Sequence, residues 1–246
     1  MPMIPKIIHY TWLGGNHLPD LEQRCLASWH IHMPDWEYMR WDESNFNIDK
    51  APLYVRQAYE AKKFAFVSDY VRLWALEQYG GVYMDVDFLV YRPLDELLHY
   101  AAFAGYEGSK RQPVMMGVIG SEPHGAWVRD MLSTYATRRF ILPDGTCDMT
   151  PNTSYFTQRL AAQGFAADGV EKDVYVDGVF YLHVLPVWAF CPVLTTGEDV
   201  RRVETYCASI GTSSWARDKG WKTRVLQLFS PAMRTRLIKL KRKWLG

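Results

Sequence analysis

The sequence predicts an α/β fold with a mainly parallel sheet flanked by helices, and three observations support this. Apolar, β-forming stretches alternate with helical patterns through the first part of the chain, which is typical of βαβ units. The chain has 246 residues, enough to bury one sizeable core. Hydrophobic residues make up 48% and charged residues 22%, as expected for a globular protein rather than a disordered or membrane-embedded one.

The predicted elements follow one another with clear boundaries. A first strand ends at Gly14-Gly15, and a later helix has Ser68 as its N-cap and ends at Gly80-Gly81. The predicted strands cover residues 6–13, 36–41, 82–90, 103–106, 115–119, 174–175 and 179–187. The predicted helices cover residues 21–30, 53–62, 69–79, 126–138 and 154–163.

The segment GGVYMDVDFLVYRPLDEL, residues 80–97, places two aspartates in a strand-like stretch. Asp85 and Asp87 are two residues apart, so in a strand their side chains would share one face. Like charges held close repel each other, and a positive group should therefore lie beside them. An isolated DxD is more often an ordinary charged turn. At the carboxyl end of a strand in an α/β fold, the pair suits a divalent cation such as Mn²⁺ or Mg²⁺.

Asp69 and Arg72 lie one turn apart on the helix that precedes these aspartates. Only Gly80-Gly81 links that helix to the following strand, so the pair can reach the same pocket as Asp85 and Asp87. The alternative is a surface ion pair, which would contribute about 0–1 kcal/mol to stability. We therefore expect substitutions in the pair to reduce activity far more than stability.

The run FVSDYVRLWALEQYGGVYMDVDFLVYRPLDELL resembles the core of the DXD-containing glycosyltransferases of family 32. That family includes initiating α-mannosyltransferases and capsule glycosyltransferases, with clostridial toxin glucosyltransferase domains as distant relatives. Further similarity, spread over residues 4–215, lies in the segments IPKIIHYTWLGG, MGVIGSEPH, VLPVWAFCP and GTSSW. Two positions depart from the family pattern. Ser209 stands where many members have histidine, and Met116 stands where asparagine is usual.

The resemblance implies a GT-A type fold, retention of anomeric configuration, and a nucleotide-sugar donor bound with Mn²⁺ or Mg²⁺. Asp87 would bind the metal directly, Asp85 would contact the metal and the ribose, and Ser213 would lie near the metal. The catalytic residues implied by position are Asp69, Arg72, Asp85 and Asp87.

The resemblance also assigns the rest of the donor site. Trp12 would stack on the nucleobase, and Asp69 and Arg72 would contact the donor sugar. Ser213 and Trp215 would close over the diphosphate. On its own, a tryptophan such as Trp12 is more often a core residue than a ligand platform.

The remaining histidines and cysteines indicate structural roles. His9 and His183 lie in apolar, strand-like stretches and are expected in the core. His124 either lines an acceptor cleft or serves a loop-to-helix junction. No CxxC pair is present, which favours free thiols and a cytosolic setting over a disulfide framework. The four cysteines are Cys25, Cys147, Cys191 and Cys207.

The C-terminal segment carries a separate charge signal. The net charge of the chain is +1, but residues 216–246 alone carry +9, which leaves −8 on residues 1–215. This contrast predicts a glycosyltransferase domain over residues 1–215 and a basic tail over 216–246. Within the tail, residues 232–245 have the pattern of an amphipathic helix suited to an anionic membrane surface. A solvated basic face packed on the body is the alternative.

Together these features favour a retaining, metal-dependent glycosyltransferase at the cytoplasmic face of a membrane. It would move a hexose from a nucleotide-sugar to a glycan or lipid-linked acceptor in surface polysaccharide synthesis, with UDP the favoured nucleotide and GDP-mannose the alternative. Two other classes stay open: a DxD phosphohydrolase, which would have Thr or Val at the position of Leu89, and a non-catalytic carbohydrate-binding protein. Nothing in the sequence matches a nucleic-acid-binding motif.

Overall fold

A computed structural model describes residues 3–108 and 113–211 of the chain. These ranges contain nine strands and six α-helices, joined by loops and short 3₁₀ turns. The strands are β1 (Ile7–Thr11), β2 (Glu37–Trp41), β3 (Gly81–Met84), β4 (Phe88–Val90), β5 (Ala102–Gly105), β6 (Val118–Ser121), β7 (Lys172–Val176), β8 (Val179–Leu185) and β9 (Cys207–Ser209). The helices are α1 (Asp20–His32), α2 (Leu53–Glu60), α3 (Phe64–Tyr79), α4 (Ala126–Ser133), α5 (Asn152–Ala162) and α6 (Val187–Phe190).

Seven strands form one central sheet in the order β2-β1-β3-β6-β5-β8-β7. β1 pairs in parallel with β2 and β3, and β5 pairs in parallel with β8. β6 lies antiparallel between β3 and β5, and β7 lies antiparallel at one edge. Five of the seven strands therefore run in one direction, which confirms the predicted mainly parallel α/β architecture.

The strand that leads to the DVD segment is buried on both faces of the sheet. In β3, Tyr83 joins the apolar cluster that includes α2 and α3, whereas Val82 and Met84 join the cluster that includes Trp29 of α1. A strand covered on both faces is apolar along its whole length rather than alternating. Burial on both faces holds the end of β3, and hence the residues that follow it, in a fixed place.

β4 belongs to a second, two-stranded sheet with β9. Its other edge is closed by side chains of α1. The indole N–H of Trp29 donates to the Phe88 carbonyl at 2.7 Å, and the backbone N–H of Val90 donates to Ser28 Oγ at 3.0 Å. β4 is thus held from both sides, although it contains only three residues.

Helix α3 begins five residues earlier than the sequence predicts. Its first residue is Phe64, and Ser68 lies inside the helix with its hydroxyl donating to the Ala65 carbonyl at 2.8 Å. The prediction that Ser68 is an N-cap is therefore wrong. Phe66 and Val67 are buried in the core, and their packing extends the helix past the serine.

The later elements differ from prediction mainly at their boundaries. The helix predicted over 126–138 ends as α4 at Ser133 and is followed by a 3₁₀ turn over Thr134–Ala136. β9 was not predicted, because three residues give too short a pattern. Among the described residues, no helix is long and apolar enough to cross a bilayer. All four cysteines are free thiols, as predicted.

The two histidines expected in the core are buried, and His9 has a defined role there. Burial lowers the pKa of His9 to about 4, so the ring is neutral near pH 7. Since the Trp41 indole N–H donates to Nδ1, the Nε2–H of His9 donates to the Gly80 carbonyl at 2.8 Å. His9 thereby ties β1 to the glycine turn between α3 and β3. His183, also buried, pairs with Asp173.

Candidate donor and metal site

The two aspartates of the DVD segment lie in a turn rather than within a strand. β3 ends at Met84, β4 begins at Phe88, and the Phe88 N–H donates back to the Asp85 carbonyl at 3.2 Å. The prediction that Asp85 and Asp87 share one face of a single strand is therefore wrong. The chain leaves the central sheet at this point and joins the two-stranded sheet, and the change of sheet breaks the strand.

A buried arginine lies beside the first aspartate. Arg72 is only 6% exposed, and its Nη2 lies 3.1 Å from Asp69 Oδ1 and 3.4 Å from Asp85 Oδ1. Its Nη1 donates to the Met116 carbonyl at 2.5 Å. The expected positive group is therefore present next to Asp85. The alternative of a surface ion pair is wrong, and because the pair is buried, substitutions in it are expected to lower stability as well as activity.

Tyr83 completes this arrangement, although sequence reasoning gave it no role. Its hydroxyl donates to Asp85 Oδ1 at 3.0 Å, and the Arg72 guanidinium carbon lies 4.6 Å from the centre of its ring. The signal that could have identified it is the spacing of two between Tyr83 and Asp85 at the end of a strand. Tyr83 fixes the carboxylate of Asp85 and covers the guanidinium of Arg72.

The electrostatics of the cluster follow from burial and from close opposite charges. Burial opposes the charge of Arg72, but Asp85, Tyr83 and Asp69 outweigh it and raise the pKa of the guanidinium. Burial raises the pKa of Asp69, opposed by Arg72 and by the backbone N–H of Asn152. The pKa of Tyr83 is also raised, first by burial and then by Asp85. One guanidinium thus lies within ion-pair distance of two carboxylates.

Asp87 is hydrogen-bonded to Ser209, the last residue of β9, and to Ile210, which follows that strand. The Asp87 carbonyl accepts from the Ile210 N–H at 2.9 Å, and Asp87 Oδ2 accepts from Ser209 Oγ at 3.2 Å. Ser209, at the position where the resemblance implies a histidine, therefore contacts the second aspartate directly through its hydroxyl.

Comparison with known proteins agrees with this arrangement. Residues 19–104 match the family described as "Glycosyltransferase sugar-binding region containing DXD motif". Residues 19–104 are therefore similar to a DXD-containing glycosyltransferase region. The region contains Asp69, Arg72 and both aspartates of the DVD turn.

Two curated relatives illustrate the range of similarity. Inositol phosphoceramide mannosyltransferase 3 of Schizosaccharomyces pombe is 39% identical over 108 residues, which cover 41% of this chain and 29% of the relative. An uncharacterized glycosyltransferase of Acanthamoeba polyphaga mimivirus is 24% identical over 229 residues, which cover 87% of this chain and 84% of the relative. The match to the mannosyltransferase thus spans less than a third of that protein's length.

A solved structure of a glycosyltransferase involved in the glycosylation of the major capsid of PBCV-1 is also similar. The two share 11% identity with a TM-score of 0.48, over 87% of this chain and 98% of that one.

The DVD turn is called the DXD turn below, after the family motif. Its carboxylates, Asp85 and Asp87, fit part of a divalent-metal site. Asp85 Oδ1 accepts from Arg72 and Tyr83, and within the described ranges no hydrogen bond is made to Asp85 Oδ2. The Asp85 side chain is 37% exposed, so the carboxylate is partly open to solvent. The described residues contain no group of three or more His, Cys, Asp or Glu side chains placed to hold a metal ion. Two carboxylates with the remaining ligands from phosphates and water is a usual arrangement for Mg²⁺.

Gly117 lies beside Asp85 Oδ2, the carboxylate oxygen that faces away from Arg72 and Tyr83 in its hydrogen bonding. A Cβ at this position would be 2.9 Å from Asp85 Oδ2 and 3.0 Å from a ring carbon of Phe88. We expect Gly117→Ala to displace the carboxylate and weaken Mn²⁺-dependent donor binding about 10-fold or more, the scale for disturbed support of a metal ligand. Calorimetric titration of a nucleotide-sugar with and without Mn²⁺ measures this effect.

Gly125→Ala is the matched control for Gly117→Ala. A Cβ at Gly125 would crowd Ser121 Oγ, and Ser121 pairs with Gly81 at the opposite end of β3 from the DXD turn. This variant should bind the donor like the wild type. Equal donor affinities for the two variants would show that Gly117 has no special relation to the metal site.

The structure describes some of the other predicted site residues and not others. Trp12 is half-buried in the loop after β1, and its indole N–H donates to the Asn16 carbonyl at 2.7 Å, so it is not a core residue. Its stacking on a nucleobase stays a prediction. Met116 contributes its backbone carbonyl to Arg72 rather than a side-chain amide. Ser213 and Trp215 lie outside the described residues.

His124 lies at the junction before α4, as one of its two predicted roles requires. Its Nδ1 lies 2.9 Å from Glu77 Oε1, and its backbone N–H donates to the Glu77 carbonyl at 3.0 Å. The residue has a φ of 61° in the loop that follows β6. These contacts support the loop-to-helix role, whereas contact with an acceptor stays a prediction.

Proposed function

We propose that the protein is a metal-dependent glycosyltransferase that moves a hexose from a nucleotide-sugar to a glycan or lipid-linked acceptor, with retention of configuration. The observation that carries this proposal is the buried Arg72, which holds Asp69 and Asp85 together at the turn that contains Asp87. Such a cluster is costly to bury and is typical of functional sites. Its position at the end of a central strand is where α/β folds bind ligands.

Each side chain has a distinct role in this mechanism. Asp85 and Asp87 would hold Mn²⁺ or Mg²⁺, which as a Lewis acid offsets the charge that develops on the leaving diphosphate. Tyr83 and Arg72 keep the Asp85 carboxylate oriented, and Ser209 does so for Asp87. Asp69 and Arg72 would contact the donor sugar and align it for attack by the acceptor hydroxyl.

The relatives' names bear on the choice of donor. Three relatives, all from Schizosaccharomyces pombe, carry the name inositol phosphoceramide mannosyltransferase. GDP-mannose should therefore be tested as a donor alongside the UDP-sugars. A phosphohydrolase is less favoured because the DXD turn follows the third strand and Leu89 occupies the position that this class gives to Thr or Val. A purely carbohydrate-binding role would not require the buried Arg72 cluster.

A thermal-shift screen tests the proposed function directly. GDP-mannose, UDP-glucose, UDP-galactose and UDP-N-acetylglucosamine would each be added with Mn²⁺ and with EDTA. A ligand that binds only the folded protein raises the melting temperature by mass action, so one donor should give a rise that EDTA removes. Release of the matching nucleoside diphosphate then checks turnover. No rise with any donor in Mn²⁺ would contradict the proposal.

We further propose that the basic tail binds an anionic membrane and brings the site to a lipid-linked acceptor. Residues 232–245 lie outside the described residues, so the support is charge alone, at about 1 kcal/mol for each basic residue near an anionic surface. Reversing Lys239, Lys241 and Lys243 to Glu should abolish sedimentation with phosphatidylserine vesicles at low salt. Replacing the same three lysines with Arg is the control and should preserve it. Binding that is insensitive to charge reversal would rule out an electrostatic anchor.

A further inference from the structure

Asn152 makes two hydrogen bonds to Asp69 from the first position of α5. The residue is 1% exposed and lies 83 positions from Asp69 in the chain. Its backbone N–H donates to Asp69 Oδ2 at 3.1 Å, and its side-chain Nδ2 donates to the Asp69 carbonyl at 2.6 Å. The start of α5 is therefore tied to both the side chain and the backbone of Asp69 on α3.

Tyr135 determines how the amide of Asn152 is oriented. Its hydroxyl donates to Asn152 Oδ1 at 2.8 Å, and the tyrosine is fully buried. Because Oδ1 faces this hydroxyl, Nδ2 must face α3, where it meets the Asp69 carbonyl. Each polar atom of the amide therefore has a partner, and the side chain is held in one orientation.

Each oxygen of the Asp69 carboxylate therefore has its own partner, an ion pair at Oδ1 and a hydrogen bond at Oδ2. Oδ1 pairs with Arg72 at 3.1 Å, and Oδ2 accepts from the first N–H of α5. The positive end of the helix dipole favours a carboxylate at this point. Arg72 in turn pairs with Asp85, so the contact of α5 extends to the DXD turn through three side chains.

We propose that Asn152 and Tyr135 are positioning residues that hold Asp69, and through it Arg72, in the orientation that the donor sugar requires. This inference rests on the proposed function, since it assigns Asp69 to the sugar. Neither residue lies in the matched region of residues 19–104. Their effect should fall on the transfer step rather than on recognition of the nucleotide.

Two substitutions at Asn152 separate its side chain from its backbone N–H. Asn152→Ala removes the amide and keeps the N–H that binds Asp69 Oδ2. Asn152→Pro removes both, yet proline is well tolerated at the first position of a helix, and the preceding Pro151 has an extended ψ of 152° that suits it. The difference between the two variants therefore isolates the backbone N–H.

Steady-state kinetics with the donor found in the screen provides the main measurement. Misplacing a contact group by about 1 Å can reduce rate about 100-fold. We expect kcat to fall about 10-fold in Asn152→Ala and about 100-fold in Asn152→Pro, while the Kd for the nucleoside diphosphate with Mn²⁺ stays within 2-fold of the wild-type value. A fall in nucleotide affinity equal to the fall in kcat would indicate general damage to the fold and overturn the positioning role.

Tyr135→Phe tests the second residue with minimal disturbance. It removes one hydroxyl and should lower kcat about 3-fold to 10-fold without changing nucleotide affinity. Tyr106→Phe is the matched control, because the buried Tyr106 likewise donates a single hydrogen bond, to the Val170 carbonyl at 3.1 Å. Equal kcat values for Tyr135→Phe and Tyr106→Phe would overturn the role of Tyr135.

A double-mutant cycle in urea tests the contact without reference to activity. Asp69→Ala and Asn152→Pro should be coupled by about 10-fold or more in the unfolding equilibrium constant, since hydrogen bonds to charged groups are stronger than those between neutral groups. The absence of coupling would overturn the contact itself. Coupling with unchanged kcat would leave a structural contact and overturn the positioning role. If the wild type transfers no sugar from any donor, the proposed function fails and the positioning role fails with it.

Discussion

Replacing Arg72 with methionine should lower the free energy of unfolding by about 3–5 kcal/mol, the usual loss when one partner of a buried ion pair is removed. The variant leaves Asp69 and Asp85 without their shared cation and the Met116 carbonyl without its donor. Methionine fills much of the same volume, so the loss reports charge and hydrogen bonding rather than a cavity. Urea denaturation followed by circular dichroism measures the change.

Arg40→Met provides the control for Arg72→Met. Arg40 pairs with Asp42 at 3.0 Å, but its side chain is 47% exposed, and an exposed pair contributes only about 0–1 kcal/mol. The control should therefore unfold within about 1 kcal/mol of the wild type. If Arg72→Met behaves like Arg40→Met, the buried cluster does not stabilise the fold, and the reasoning from burial fails.

Asp87→Asn should reduce sugar transfer at least about 100-fold, because even the residues that support a metal ligand contribute 10-fold to 100-fold. Asparagine keeps an oxygen that can accept from Ser209 Oγ, so the turn should retain its shape. Stability should change little, whereas the Mn²⁺-dependent rise in melting temperature with donor should disappear. Transfer assays and thermal shifts on the same preparation separate these effects.

Asp177→Asn controls for the loss of one negative charge. Asp177 is exposed in the turn between β7 and β8 with a φ of 52°, a conformation that asparagine adopts readily. This variant should transfer sugar at the wild-type rate. Full activity of Asp87→Asn, or of the wild type in EDTA, would exclude a metal held by the DXD turn.

The sequence predicts the parts of the site that depend on short-range spacing. Asp69 and Arg72 are three residues apart on a helix, and the structure places them 3.1 Å apart, as that spacing allows. The positive charge expected beside Asp85 comes from the same helix. These contacts were predictable because α3 and β3 are joined by only a glycine turn.

The remaining parts depend on tertiary contacts that no local pattern records. The bonds from Asn152 to Asp69 and from Arg72 to the Met116 carbonyl join residues 83 and 44 positions apart. The break in the strand at the DVD turn had no local signal, since Val86 and Phe88 are both good β-formers. It depends on β9, which pairs with β4 from more than a hundred residues further along the chain.

The closed edge of β4 bears on whether this strand could pair with another chain. A short strand with one open edge, next to an exposed functional turn, would offer unpaired backbone groups to another chain. Here the Phe88 carbonyl and the Val90 N–H are occupied by Trp29 and Ser28, so no further strand can add at that edge. The outer edge of β4, next to the DXD turn, therefore presents no template for intermolecular β-pairing, and this protection depends on two side chains of α1.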